Sequence, residues 1–327
     1  MVVDRKTLQY FLAAALLFGG TFVAAKAGLS YFPPLLFVAL RFDIAAIILV
    51  GYVVATRSRR ELMPTTRGDL VGIIATGVFA IGAANALLFV GQQYTTTAVG
   101  AIIASLNPVL TPVFAAVLLA DERVSPRVVA GLLLGLVGVG LVVGFDPTGV
   151  ESIGYGKLII FAGAALGALG TVLIRWGEGS LSSTVRTAWG LPFAAALTHG
   201  FSWATGEQVA DITVVPVALL ILVYLGVFAG AIAYIAYFGL IDEVGAVRAN
   251  LVFYVTPIVA TLGGWALLSE SISASALLGF VVIFAGFAVL GSDSIDIGDV
   301  LPSFDKSDAG ESHAWGLNDE ARGFESD

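Results

Sequence analysis

No cysteine occurs in the 327 residues, which excludes disulfide scaffolds, iron–sulfur clusters and thiolate zinc sites. Histidine is nearly as scarce. With only His199 and His313 no histidine-based metal cluster can be assembled, and neither a metal nor another cofactor is expected. Charged residues make up 12% of the chain, about half the share in an ordinary soluble domain. No Ser/His/Asp or paired-carboxylate arrangement is recognisable, so the chain is not expected to be an enzyme. What is abundant is apolar: 58% of residues are hydrophobic and the mean hydropathy is +0.95. Too little polar surface exists to hold such a chain in water, and it reads as an integral membrane protein in the cell membrane.

A helix needs roughly 20 apolar residues to cross a bilayer. Apolar stretches separated by Gly, Pro or charge predict spans at about 7–29, 33–55, 70–91, 95–119, 126–145, 155–176, 184–205, 216–239, 244–268 and 274–291. The fold class is therefore all-α and polytopic, with about ten transmembrane helices. The seventh span is the most interrupted, by Arg186, Pro192 and His199. Placing the amino terminus in the cytoplasm puts Arg5, Lys6, Arg57, Arg59, Arg60 and Arg67 on or near the inner face, with Arg123, Arg127, Arg175, Arg186 and Arg248. Only Lys26 and Lys157 then fall outside, so the positive-inside bias predicts both termini to be cytoplasmic. Residues 292–327 carry ten acidic residues against Lys306 and Arg322, a composition typical of disordered tails.

The chain repeats itself. Gly77-Val78-Phe79-Ala80 recurs as Gly226-Val227-Phe228-Ala229, and Lys26 corresponds to Arg175, Pro108 to Pro257 and Glu122 to Glu270. Gly131 and Gly138 likewise match Gly279 and Gly286. Two units follow, 1–149 and 150–291, each with five spans. Five is odd, so the second unit enters the membrane from the opposite side, and inverted repeats of this kind are typical of secondary transporters.

Pro108 and Pro257 stand at equivalent points of the fourth and ninth spans, as helix-kink positions. Proline frees a carbonyl one turn earlier, and paired Pro-interrupted spans point to a transporter site, although a purely structural kink explains them too. Asn107, Tyr254 and Thr256 flank these prolines. Arg41 and Asp43 lie inside the second span, where a charge is costly and demands a reason. Arg41 suits an anionic group such as a carboxylate or phosphate, unless it is a structural ion pair or snorkels to the interface; Asp43 is the candidate for coupling. Asn85, Tyr234, Tyr237 and Asn250 add polar groups in the third, eighth and ninth spans, as ligand contacts or as glue between helices. Gly131 and Gly135 have small-xxx-small spacing and read as helix packing.

Several stretches carry a resemblance: Phe18-Gly19-Gly20-Thr21 to Lys26, Pro33-Pro34 to Arg41-Phe42, Ala104-Ser105-Leu106-Asn107-Pro108 to Asp121-Glu122-Arg123, and Leu251 to Pro257 and on to Glu270. In that order, and repeated, they resemble the drug/metabolite transporter superfamily, specifically its ten-helix EamA-type members. The resemblance implies a pseudosymmetric bundle with a central cavity that moves small metabolites by alternating access, and many relatives are exporters of amino acids or other polar metabolites. The distance from Pro108 to Glu122 is one residue longer than from Pro257 to Glu270, so Asp121 is the other candidate equivalent. The first span also lacks the embedded carboxylate with which the small four-helix multidrug relatives couple drug efflux to protons.

The combined expectation is a permease, and an exporter by resemblance, for a small polar metabolite. Its cavity is expected mainly from the third, fourth, eighth and ninth helices, with Arg41, Asn85, Asn107, Tyr234, Asn250, Tyr254 and Thr256 binding substrate. Partners are the substrate, the lipid bilayer and no nucleic acid; a coupling ion (proton or sodium) and a homodimer are left open. The alternative is a membrane receptor or sensor signalling through the acidic tail.

Overall fold

The computed structural model describes residues 5–119, 126–143, 154–244, 249, 252–271 and 273–291. Among them there is no strand, as expected where backbone polar groups must find partners within their own segment. The first helices are α1 (Arg5–Gly28), α2 (Pro34–Thr56) and the single turn α3 (Arg59–Leu62). Next, α4 (Arg67–Ile74) runs through a π-helical stretch, Ala75–Ala83, into α5 (Ala84–Gln92). Then come α6 (Thr97–Ala104), α7 (Asn107–Leu118), α8 (Pro126–Val143), α9 (Tyr155–Trp176) and α10 (Ser183–Ala204). In the same way α11 (Pro216–Val223) runs through a π-helical stretch, Tyr224–Ile232, into α12 (Ala233–Val244), followed by α13 (Val252–Leu268) and α14 (Ala274–Gly291).

Among the described residues six rods are long and apolar enough to cross a membrane: Arg5–Gly28, Pro34–Thr56, Arg67–Gln92, Thr97–Leu118, Tyr155–Trp176 and Pro216–Ile241. Shorter apolar stretches lie in α8, α13 and α14. The interrupted seventh span is one continuous helix, α10, with Pro192 inside it.

Contacts between helix ends fix the threading. At one end Lys6 pairs with Glu243, Trp189 donates to the Leu62 carbonyl, and Asp69 accepts from Ser180 and Leu181 backbone amides. At the other end Thr213 N–H donates to the Tyr31 carbonyl, and Lys26 donates to the Gln92 carbonyl at 2.9 Å. Glu270 accepts from Thr97 N–H at 2.9 Å there, capping α6. Successive rods therefore alternate in direction. The start of α2, opened by Pro34, is capped from the α10–α11 connection: Leu35 and Leu36 amides donate to Glu207 at 3.1 and 2.7 Å. Gly206 makes this reach, since its φ of 78° is one that few side-chain-bearing residues adopt. Glu207→Ala leaves two amides at a helix N-terminus without their anion, and is expected to lower stability by about 1–2 kcal/mol. Thermal unfolding in detergent reads this as a reduced Tm, with Glu207→Gln intermediate.

The two π-helical stretches each have nine residues and sit at equivalent places in the repeat, each holding the Gly-Val-Phe-Ala sequence. Their glycines permit close crossings. A β-carbon on Gly77 would strike the Gly190 carbonyl of α10, and one on Gly226 would strike Ile44 of α2. The stretch of each half thus packs on the second long helix of the other. The repeat glycines of α8 and α14 also meet crosswise, Gly138 against Gly279 and Gly131 against Gly286, which is the packing expected of small residues in lipid.

One symmetry expectation meets a difference. The fourth span breaks at Ser105-Leu106, ahead of Asn107-Pro108, and Ser105 Oγ donates to the Ile102 carbonyl at 2.7 Å. The ninth stays helical through Pro257. There the Thr256 hydroxyl donates to the Val252 carbonyl at 3.0 Å, holding that turn from the side-chain side.

Candidate functional site

Arg41 lies on the inward face of α2 and is 5% exposed. Its guanidinium carbon sits 4.6 Å from the centre of the Phe42 ring and 4.7 Å from that of Phe89, a geometry in which ring faces stabilise a cation. Nη2 donates to Asn85 Oδ1 at 2.6 Å, whereas Nε is buried with no partner. Among the described residues no carboxylate pairs with Arg41, so the structural ion pair is not what holds it there. Asn85 is held in turn, its Nδ2 donating to the Ile81 carbonyl at 2.7 Å in the π-helical stretch. The stretch therefore orients the amide that orients the guanidinium.

Asn85 also lines a cavity of about 160 Å³, with Leu88, Asn107, Ile160, Gly163 and Ala164 among its walls. Asn107 enters because α7 begins there, after the break in the fourth span. Its amide packs on Gly167, where a β-carbon would collide with Nδ2. Gly163 plays the same part against the Ala84 carbonyl. The lining comes from the third, fourth and sixth spans; the sequence reading named the first two of these and missed α9. The signal was present as glycines on one face of α9, Gly156, Gly163, Gly167 and Gly170.

Tyr234, the repeat equivalent of Asn85, lies in the other half, on α12. It belongs to an aromatic group: the Phe18 ring lies 5.2 Å from Tyr234 edge to face, 6.0 Å from Tyr237 and 5.9 Å from Phe253. Arg41, Asn85 and Asn107 are thus connected through one guanidinium and one cavity, whereas Tyr234 sits in the aromatic group. Thr256 is buried with its hydroxyl already bonded. Asn250 and the side chain of Tyr254 lie outside the described residues, as do Asp121, Glu122, Arg123, Arg248 and the acidic tail.

Asp43 points the other way. It faces outward between α2 and α10, where His199 Nε2 lies 2.8 Å from its Oδ2. That partner is 156 residues distant and sequence spacing offered no clue to it. Asp69 was also missed, although Thr66-x-x-Asp69 before an apolar run is a capping-box signature. The carboxylate accepts from the Thr65 and Thr66 amides at 3.0 Å each, from Ser180 N–H at 2.6 Å and from Leu181 N–H at 3.0 Å. Glu61, outside the spans, makes a second such box with Ser58, whose hydroxyl and amide hold its carboxyl below the usual carboxylate range.

The model of the EamA-like transporter family matches residues 5–144 and again residues 154–292. The chain belongs to the EamA-like transporter family. As a family member it is a multi-pass protein of the cell membrane and a membrane transporter. Its EamA-like domain occurs twice. The chain is similar to the Bacillus subtilis (strain 168) protein named uncharacterized transporter YyaM, 29% identical over 276 residues that cover 82% of this chain and 88% of the relative. It is also similar to the S-adenosylmethionine/S-adenosylhomocysteine transporter of Chlamydia trachomatis serovar L2, 27% identical over 288 residues covering 85% of each. A solved crystal structure of a protein superposes with a TM-score of 0.58 at 23% identity, covering 87% of this chain and 96% of that one, and so shares this chain's fold.

Proposed function

We propose that this transporter is a secondary permease that exports a small polar metabolite bearing an anionic group, by alternating access between two inverted units, 1–149 and 150–291. Ten crossings with both ends in the cytoplasm fit the end-to-end contacts and the basic residues gathered at the end that holds Lys6, Arg59 and Arg67. The observation that carries the reading is Arg41, a buried cation with no carboxylate partner among the described residues, bound to the same Asn85 that lines the cavity with Asn107. A charge in the membrane interior without a counter-ion is expensive, and an anionic substrate is the partner that repays it. Tyr234, Asn250, Tyr254 and Thr256 are assigned to substrate contact from the second unit on the strength of the repeat, Tyr234 standing where Asn85 stands in the first. Nothing in the described residues offers paired acids or a metal cluster for catalysis.

The experiment is metabolite profiling of medium and cytosol from cells overproducing the wild type, set against cells carrying Gly167→Leu at equal expression. Leucine there takes the space of the Asn107 amide and displaces that side chain, which lines the cavity. A metabolite that accumulates outside only with the wild type names the substrate and the direction. Equal profiles for both, across several growth conditions, would remove this cavity from the transport path.

A further inference from the structure

Asp43 and His199 form the polar centre of an outward seam between α2 and α10. Each side chain is 43% exposed. Asp43 is nine residues into α2 from Pro34, about 13 Å along the axis, well within the hydrocarbon for a helix that spans it. Around the pair the surface is apolar and open: Ile47, one turn along α2, is 74% exposed, and Trp203, one turn along α10, is 85% exposed. Hydrogen-bond bookkeeping at this place is incomplete. His199 Nε2 and Asp43 Oδ2 satisfy each other, while His199 Nδ1 and Asp43 Oδ1 have no partner among the described residues. Hydrocarbon supplies none.

The glycines give a second, independent observation. At the described helical glycines of the interior, an added β-carbon would meet a neighbouring helix, as at Gly77, Gly91, Gly163, Gly170 and Gly226. At Gly51 of α2 and Gly200 of α10 it would meet nothing within 4 Å. Both are exposed and belong to the same two helices as the Asp43–His199 pair.

We propose that this seam is the interface of a homodimer, with a second copy of the chain packed on α2 and α10 across a two-fold axis normal to the membrane. Such an interface is isologous, so a residue i meets j and j meets i. The pair is self-complementary in that arrangement. The free Asp43 Oδ1 of one copy accepts from His199 Nδ1–H of the other, a second proton bridges His199 Nε2 and Asp43 Oδ2 within each copy, and the reciprocal bond closes a ring of four side chains at one depth. Gly51 and Gly200 let the helices of the two copies approach, as small residues do in lipid.

The full chain has no cysteine, so Ile47→Cys places a single thiol on the seam, and Val281→Cys, 57% exposed on α14, places one elsewhere. Mild oxidation in native membranes is expected to give a covalent dimer from Ile47→Cys and monomer from Val281→Cys. Single-molecule photobleaching of labelled protein in lipid vesicles is expected to show dimers for the wild type. For Asp43→Leu combined with His199→Leu, which removes the polar demand, the monomer fraction should rise at least tenfold. Should the double variant fail to fold, the two single-cysteine chains decide by themselves. A wild type that stays monomeric at every protein density overturns the proposal. So does cross-linking that is equal at the two thiols, a folded double-leucine variant that remains dimeric, or a monomer that carries a retained lipid on native mass spectrometry.

Discussion

Arg41→Ala is expected to lower transport tenfold to a hundredfold while leaving the protein in the membrane. Among the described residues the guanidinium is the one buried cation joined to the cavity, through Asn85 at 2.6 Å. A hydrogen bond to a charged group contributes about 1.5–3 kcal/mol, and each ~1.4 kcal/mol is a factor of ten, which sets the range. Folding should tolerate the change, because removing an uncompensated charge from the membrane relieves a cost. The loss should appear as weakened binding, so that raising substrate concentration restores part of the flux. Arg41→Lys keeps the charge but loses the planar stack between Phe42 and Phe89 and the donor fork, and should fall between the two. Initial rates in proteoliposomes with the substrate named by profiling give the measurement. An alanine variant with wild-type rates would take Arg41 out of the mechanism.

The second large effect is one of folding. Asp69 gathers four backbone amides from two connections, Thr65 and Thr66 before α4 and Ser180 and Leu181 between α9 and α10. It is 1% exposed. Asp69→Ala leaves those donors without an acceptor at a buried junction, and each unsatisfied buried group costs about 1–3 kcal/mol. The sum approaches the whole stability of a typical protein, so little folded protein should be recovered. Asp69→Asn keeps one acceptor oxygen and should recover part of it. Fluorescence-detected size exclusion from solubilised membranes separates the three cases. An alanine variant that elutes as sharply as wild type would show that the clamp is dispensable.

Much of the scaffold was legible because lipid imposes a simple grammar: hydrophobic length marks the rods, and the Gly-Val-Phe-Ala repeat marks the two units. The π-helical stretches were not legible, since one extra residue per turn scarcely alters the apolar periodicity of Ala75–Ala83. At the site, Arg41 and Asn85 announced themselves as polar groups in apolar surroundings. Phe89 could not, because an aromatic ring in an apolar span looks like packing until a guanidinium is found against it. The Asp43–His199 pair was hidden for another reason. Each residue was noticed, but pairing across 156 residues depends on the angle at which α2 meets α10, which neither helix encodes alone.

The α8–α14 seam, where Gly138 abuts Gly279 and Gly131 abuts Gly286, responds to temperature unlike a water-driven core. Prising those two helices apart trades backbone contact for contact with acyl chains and wets almost no apolar surface. The heat-capacity increment that curves the stability of soluble proteins is therefore nearly missing from this step. Its free energy falls close to linearly on warming, and cooling only tightens it. A seam of this kind has no cold limit of its own.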